Sequence, residues 1–155
     1  MKIAIVGDYT TKTLTKSLVD INSRLEIYEA DYSQVDYEII NDDSQLYKFR
    51  PDIIVIHETS ISFKNKYTSL SNPNPKYYES CINRLEKLIY KINSVFSKVK
   101  IIYPTLDINN DMSFGNYFFK VPESADAQVH YYNHGLAQLA LKIRNLFLID
   151  INNLI

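Results

Sequence analysis

One alternation constrains this chain more than anything else in it. Five short strand-like runs occur at Lys2–Val6, which is apolar and rich in β-branched residues, and at Leu25–Ala30, Ile53–Ile56, Lys100–Tyr103 and Leu146–Ile151. Between them the apolar residues recur every three or four positions, the spacing of helices with one buried face. Strands that alternate with helices predict a parallel sheet with helices on both faces. Right-handed crossovers then favour a three-layer α/β/α sandwich, flavodoxin-like, with strand order 2-1-3-4-5.

Taken in order, Thr11 to Ser23 reads as the first helix, with Leu14, Leu18, Val19 and Ile21 inward. Ser33 to Asn41 follows with Val35, Ile39 and Ile40 inward, and Ser44 caps a short turn through Phe49. The run IIVI at 53–56 is uniformly apolar, as in a central strand covered on both faces. Ser60 to Pro75 reads as loop, because Ser-Asn-Pro-Asn-Pro closes it. The clearest helix carries Tyr78, Cys81, Ile82, Leu85, Leu88, Ile89, Ile92, Val95 and Phe96 on one stripe. Asn109 to Val121 is an irregular loop. Ser124 or Asp126 then opens the last helix, with Val129, Tyr132, Leu136, Leu139 and Ile143 inward.

At 155 residues, and with no repeat or long linker, the chain is read as a single domain over 1–155. Its net charge of −1 gives no field to recruit nucleic acid or an anionic membrane. No apolar run reaches the length of a membrane span. The single Cys81 excludes an internal disulfide and suits a buried, inert thiol, and with the strand at the N-terminus this fits a cytoplasmic setting. Thirteen Tyr without a Trp reads as composition bias, with a Tyr-lined binding surface as the other reading.

In a sheet of this kind ligands bind outside the carboxyl ends of the strands. The residues delivered there are Asp8, Tyr9, Thr10 and Thr11, then Asp31, His57 and Glu58, then Asp107 with the following loop, and Asp150. An acid/base or metal site is one reading, and turn and cap chemistry is the other. The turn at Tyr9–Thr11, feeding a helix N-terminus, could hold a phosphate or another anion. No Gly-x-Gly-x-x-Gly or phosphate-loop motif accompanies it, and there are only three Gly in all. His130 and His134 share a helix face, but no third ligand is evident, so no metal site is expected. Asp107, Asn109 and Asp111 lack the Gly and distal Glu of a calcium loop. The aromatics Phe114, Tyr117, Phe118 and Phe119, set around Gly115 and Asn116, form either a docking patch or a cover for the sheet edge.

The segments KIAIVGDYTT, LEIYEADYSQVD, SQLYKFRPDIIVI, FGNY and NLFLIDINNL resemble, in order, the N-terminal segment of FkbH-like proteins over essentially the whole chain. That resemblance implies an SGNH-hydrolase-like domain which, in the family, precedes a haloacid-dehalogenase-type (HAD) catalytic domain. The family is associated with moving a glyceryl group from a phosphorylated glycerate onto an acyl carrier protein. Related members occur in surface-polysaccharide and polyketide pathways. The HAD signature, Asp-x-Asp-x-Thr/Val after an apolar strand, is missing here, since DIN at 107–109 and at 150–152 does not match it. The family's phosphoryl chemistry and its magnesium would therefore belong to a separate HAD domain, and no cofactor is expected here.

The hydrolase machinery also departs from its pattern. In SGNH hydrolases a Gly-Asp-Ser turn supplies the nucleophile, and here Tyr9 stands at the Ser position. A phenol, with a pKa near ~10, needs a strong base to replace it. The expected Asp-x-x-His after the last strand reads Asp150-Ile-Asn-Asn153. The oxyanion block after the third strand reads His57-Glu58-Thr59-Ser60. The candidates for residual catalysis are Asp8, Thr10 and His57. The expectation is a non-catalytic domain that binds a HAD domain, an acyl carrier protein or the acyl acceptor through Asp8, Tyr9, Thr10, Thr11, Asp31, His57, Glu58, Gly115 and Asn116. The alternative is an SGNH-type esterase or acyltransferase with altered catalytic residues.

Overall fold

The computed structural model describes residues 1–108 and 115–153, apart from the side chains of Gly115, Asn116 and Phe119. Asn109, Asp111, Phe114 and Ile155 lie outside the described residues, as do those three side chains.

Five strands, β1 (Lys2–Gly7), β2 (Glu26–Glu29), β3 (Ile53–His57), β4 (Lys100–Pro104) and β5 (Leu146–Ile149), form one sheet. It is entirely parallel, in the order β2-β1-β3-β4-β5. The helices are α1 (Lys12–Ile21), α2 (Val35–Ile40), α3 (Gln45–Phe49), α4 (Ser60–Thr68), α5 (Tyr77–Val95) and α6 (Ala125–Lys142).

The register divides the sheet into two unlike faces. Ala4, Val6, Ile54, Ile56, Ile101, Tyr103 and Leu146 alternate onto one face and join a single core with Val35 and Ile39 of α2, Leu46 of α3, Phe63 of α4, Leu85, Leu88, Ile89 and Ile92 of α5, and Val129, Tyr132, Leu136 and Leu139 of α6. Ile3, Ile5 and Glu29 point to the opposite face. There α1 is anchored, because the Glu29 carboxylate accepts hydrogen bonds from Thr11 and Thr15. Among the described helices α1 alone lies on that side, which is the side right-handed crossovers assign it.

Several sequence expectations change at this point. The segment 60–75 is not all loop, since α4 fills its first nine residues. Its N-cap is Thr59, whose hydroxyl accepts from the Ser62 N–H at 3.2 Å. Phe63 and Tyr67, four apart, are its buried contacts, and the Ser, Asn and Lys around them hide the helical period. In α1 no residue is fully buried: Leu14 and Val19 are more than a third exposed, and Ile21 is 82% exposed. Ile40 is exposed because its neighbour Ile39 takes the inward direction, and Val95, on the final turn of α5, is half exposed. Among the described residues β3 is covered unequally on its two faces, with Ile54 and Ile56 fully buried but Ile53 and Val55 only partly so. The predicted last helix does begin at Ser124, whose hydroxyl accepts from the Ala127 N–H, and all five of its expected inward residues are buried.

Polar side chains fix the connections that packing leaves loose. Gln128, fully buried on α6, accepts from the Tyr78 N–H and donates to the carbonyls of Pro75 and Pro122, tying the start of α5 to the loop before α6. Asn133 both accepts from and donates to the backbone of Leu106, holding the exit of β4. Each satisfies backbone groups that would otherwise be buried unpaired.

Candidate functional site

The register that pairs Gly7 with His57 puts the ends of β1 and β3 side by side at the carboxyl edge. Gly7 is required there: a Cβ at this position would sit 2.9 Å from the His57 carbonyl oxygen. The Asp8 N–H donates to that same carbonyl at 3.1 Å. The Asp8 carboxylate, 5% exposed, accepts from the Thr59 N–H at 3.0 and 3.2 Å. The turn after β1 and the start of α4 are thus held together by Asp8 itself.

Beside this clasp lies a cavity of about 90 Å³, lined by Asp8, Glu58, Phe63, Tyr77, Arg84, Tyr103 and Tyr132, with Lys66, Cys81 and Leu106 completing it. Glu58 organises its polar side. It accepts from Arg84 Nη1 at 3.0 and 3.2 Å and from the Tyr103 hydroxyl at 2.9 Å. Tyr103 and Tyr132 share a further hydroxyl–hydroxyl bond of 2.8 Å. Arg84 also grips Asp36 of α2 through Nε at 3.0 and 3.1 Å. Burial works against the Arg84 charge, but the Glu58 charge and then the hydrogen bond and charge of Asp36 outweigh it, so its pKa rises. Burial, joined by Tyr132 and Glu58, drives Tyr103 well above the usual phenol range, so it stays a hydrogen-bond donor. Burial likewise raises the Cys81 thiol and leaves it a weak nucleophile. Three of the thirteen Tyr line this cavity. Sequence reasoning missed Arg84, Tyr77, Tyr103 and Tyr132 as members of the edge, because Tyr103 and Tyr132 lie on patterns already explained as strand and helix and Tyr77 and Arg84 follow no strand end. The signal that could have found Tyr103 was its place at the end of β4, one strand from Glu58.

His57 sits on the other side of the clasp. Its ring packs against Tyr9 with centroids 4.8 Å apart and planes tilted by 55°. Its Nδ1 is buried without a hydrogen-bond partner among the described residues. Burial lowers its pKa, opposed by the Asp8 charge, so it is the neutral imidazole at pH 7.

The helix-terminus anion site is filled from within. Glu29 Oε1 accepts from the Thr11 N–H at 3.1 Å and the Thr11 hydroxyl at 2.6 Å, and Oε2 accepts from the Thr15 hydroxyl at 3.2 Å. A carboxylate of the protein itself stands where a phosphate would, and Thr11 is 3% exposed. Thr10 and Asp31 are exposed and share a shallow open depression with Tyr9 and Lys12. The structure therefore gathers Asp8 and Glu58 around one cavity, sets Tyr9 against His57, and diverts Thr11.

After β5, Asp150 accepts from the N–H of Asn152 at 3.1 Å and from the side-chain amide of Asn153. On α6, His130 stacks on Phe118 with ring centroids 4.8 Å apart. Among the described residues no group of three His, Cys, Asp or Glu comes together as metal ligands.

A five-stranded parallel sheet in this order, with a cleft at the carboxyl edge, defines an α/β fold that esterases of known structure share. An acetyl xylan esterase has this fold, with a TM-score of 0.65 at 16% identity over 98% of this chain and 78% of its own. An acetylxylan esterase from Geobacillus stearothermophilus scores 0.63 at 14% identity over 96% of this chain and 75% of its own. The N-terminal part of a Bacteroides fragilis protein that contains a phosphatase domain, solved with Mg, scores 0.86 at 23% identity. That match covers 98% of this chain, which spans only 40% of the Bacteroides chain. No curated protein sequence matches. The family model for the FkbH N-terminal domain matches residues 2–155, and the chain belongs to that family.

Proposed function

We propose that this is a non-catalytic SGNH-like domain which binds a HAD-type phosphatase partner in an FkbH-type system of glyceryl or acyl transfer. The observation that carries the reading is what occupies the hydrolase positions. Gly7 and Asp8 shape the turn, but the nucleophile position holds Tyr9, whose ring packs on His57. Thr11 is bound to Glu29, and Asn153 stands where the resemblance expects the base. Ester hydrolysis needs a nucleophile, a base in hydrogen-bond reach and oxyanion donors in one place. Here the Asp8–Thr59 clasp and the Glu58–Arg84 pair use the polar groups of the edge on one another. A phosphatase domain in the longer Bacteroides chain supports a HAD-type partner.

The test has two arms. The purified chain should release p-nitrophenol from p-nitrophenyl acetate no faster than buffer, and affinity-purified chain from its own cells should carry a HAD-type phosphatase. Turnover abolished by Thr10→Ala or His57→Ala would replace this reading with that of an altered esterase.

A further inference from the structure

The wall of the cavity beside Asp8 holds more acceptors than donors. Arg84 Nη1 donates to both oxygens of Glu58, and the Tyr103 hydroxyl donates to Oε2 at 2.9 Å. An ionised carboxylate only accepts, so the one phenolic proton of Tyr103 is committed to Glu58. The 2.8 Å bond between the two hydroxyls then has a single direction, with Tyr132 as the donor. That uses the only proton of Tyr132 and leaves its oxygen an acceptor, on a side chain 2% exposed. Asp8, 5% exposed, takes one donor, the Thr59 N–H, for about four lone-pair sites. Among the described residues it has no ion-pair partner. Asp8 and Tyr132 both line the cavity, each more than nine-tenths buried and each short of donors.

We infer that this cavity is a binding site for a small primary ammonium compound. Charge, wall and size each select that class. Arg84 is matched by Glu58 and by Asp36, and His57 is neutral, so the Asp8 charge is left without a counter-ion. The apolar wall is a run of four rings, Tyr77, Phe63, Tyr132 and Tyr103, with successive centroids 5.3, 5.1 and 6.5 Å apart. Aromatic faces beside a carboxylate are surroundings that favour an organic cation. A primary ammonium brings three N–H donors, and the wall offers Asp8, Tyr132 and the less used Oε1 of Glu58 to take them. A volume of about 90 Å³ holds about three or four non-hydrogen atoms, since ~150 Å³ holds a benzene. Lys66, the exposed residue of the lining, marks where the cavity opens and where a longer tail would leave; it pairs with neither carboxylate. An anion has less to hold. Every nitrogen of the Arg84 guanidinium already bonds Asp36 or Glu58, and the Tyr77 hydroxyl is engaged with the Cys81 thiol. The site belongs to this chain alone and does not depend on a phosphatase partner.

The experiment titrates the full chain with ethylammonium chloride and follows by NMR the Thr59 amide, which bonds Asp8. Ethanol and acetate, of similar size, are the neutral and anionic comparisons, at equal ionic strength. Ethylammonium should saturate in the millimolar range, the limit for a ligand of about three heavy atoms. Ethanol and acetate should bind about ten-fold more weakly or worse. Asp8→Asn keeps an oxygen for the Thr59 N–H and removes the charge, while Tyr132→Phe keeps the ring and removes the acceptor. Each should weaken ethylammonium by about ten-fold, and Tyr132→Phe serves where Asp8→Asn does not fold. Lys66→Met removes a like charge at the opening and should leave binding as tight or tighter. Equal binding of ethanol, tighter binding of acetate, or loss of ethylammonium binding in Lys66→Met would each overturn the inference. So would ethylammonium binding unchanged in both Asp8→Asn and Tyr132→Phe. No saturable shift with any of the three probes would leave a cavity for water alone and overturn it as well.

Discussion

Replacing Glu29 with Ala tests whether this carboxylate acts as a built-in anion at the start of α1. The wild-type side chain takes three hydrogen bonds, two of them from Thr11, which is 3% exposed. Removing it strands a buried N–H and a buried hydroxyl. A hydrogen bond to a charged group is worth about 1.5–3 kcal/mol, and a charge at a helix N-terminus adds about 0.3–1 kcal/mol. The bonds share one carboxylate and do not add fully, so the expected loss is about 2–4 kcal/mol. Against a typical stability of about 5–15 kcal/mol the variant still folds. At about 2–4 °C per kcal/mol for a domain of this size, the melting temperature falls by roughly 4–16 °C. The second half of the experiment is ligand rescue. With Glu29 gone, inorganic phosphate can occupy the vacated helix terminus. At ten times its dissociation constant it returns about 1.4 kcal/mol. Urea unfolding gives the first quantity. Thermal melting in phosphate against chloride at equal ionic strength gives the second. A Glu29→Ala loss below about 0.5 kcal/mol, within the range of ordinary surface changes, or equal phosphate stabilisation of wild type and variant, refutes the reasoning.

Other substitutions probe the turn, the helix pair and the hydroxyl network. Gly7→Ala should cost about 1–3 kcal/mol in urea unfolding, because its Cβ meets the His57 carbonyl at 2.9 Å and a paired strand cannot move aside. Gly135→Ala meets only the Ile82 side chain, at 2.8 Å, and a gain of about 1 kcal/mol in helix propensity offsets the crowding. A double-mutant cycle with Ile82→Ala should therefore show that the crowding disappears when Ile82 is trimmed. Tyr103→Phe removes a buried donor to Glu58 and should cost about 1–2 kcal/mol, with less than additive loss when combined with Tyr132→Phe. His57 has a depressed pKa in the fold, so the unfolded chain binds more protons between that pKa and about 6.5. Its contribution is complete above pH 6.5 and is lost as pH falls through the folded value. His57→Phe should flatten the decline of unfolding free energy between pH 7.5 and 5.5, leaving the share due to His130, whose pKa is also lowered by burial.

The sheet was legible because its strands announce themselves. Runs such as KIAIV and IIVI, each ended by a polar turn, set both the strand count and the carboxyl edge, and the flavodoxin-like arrangement supplied the order that the structure shows. Helix α4 was not legible, because its two buried anchors are spaced correctly but flanked by Ser, Asn and Lys that mask the period. The unequal covering of β3 was hidden for the opposite reason. Ile53 and Val55 are as apolar as Ile54 and Ile56, and residue type alone does not say which face carries the core. At the carboxyl edge, Asp8, His57 and Glu58 could be placed from strand ends alone. The cavity depends on Arg84, reached from the middle of α5, and the filled helix terminus depends on Glu29 turning to α1, both of them contacts between residues far apart in sequence.

The Gly-Asp pair after β1 invites a catalytic reading, and the geometry gives it another sufficient cause. Gly7 is demanded by the close approach of the His57 backbone, whatever follows it. Asp8 is demanded by the Thr59 N–H, which opens α4 and would otherwise be left without an acceptor. A chain of this fold keeps both residues for its stability even with no substrate to attack. Tyr9 and Asn153 have no such constraint: one is partly exposed, the other lies on the terminal turn, and neither closes the sheet. The residues that make the turn look catalytic are therefore those the fold needs in any case, while the positions that carry Tyr and Asn are those where the resemblance expects Ser and His. On the proposed reading the preserved part of the motif is no argument for ester chemistry, and Tyr9 and Asn153 are the positions that argue against it.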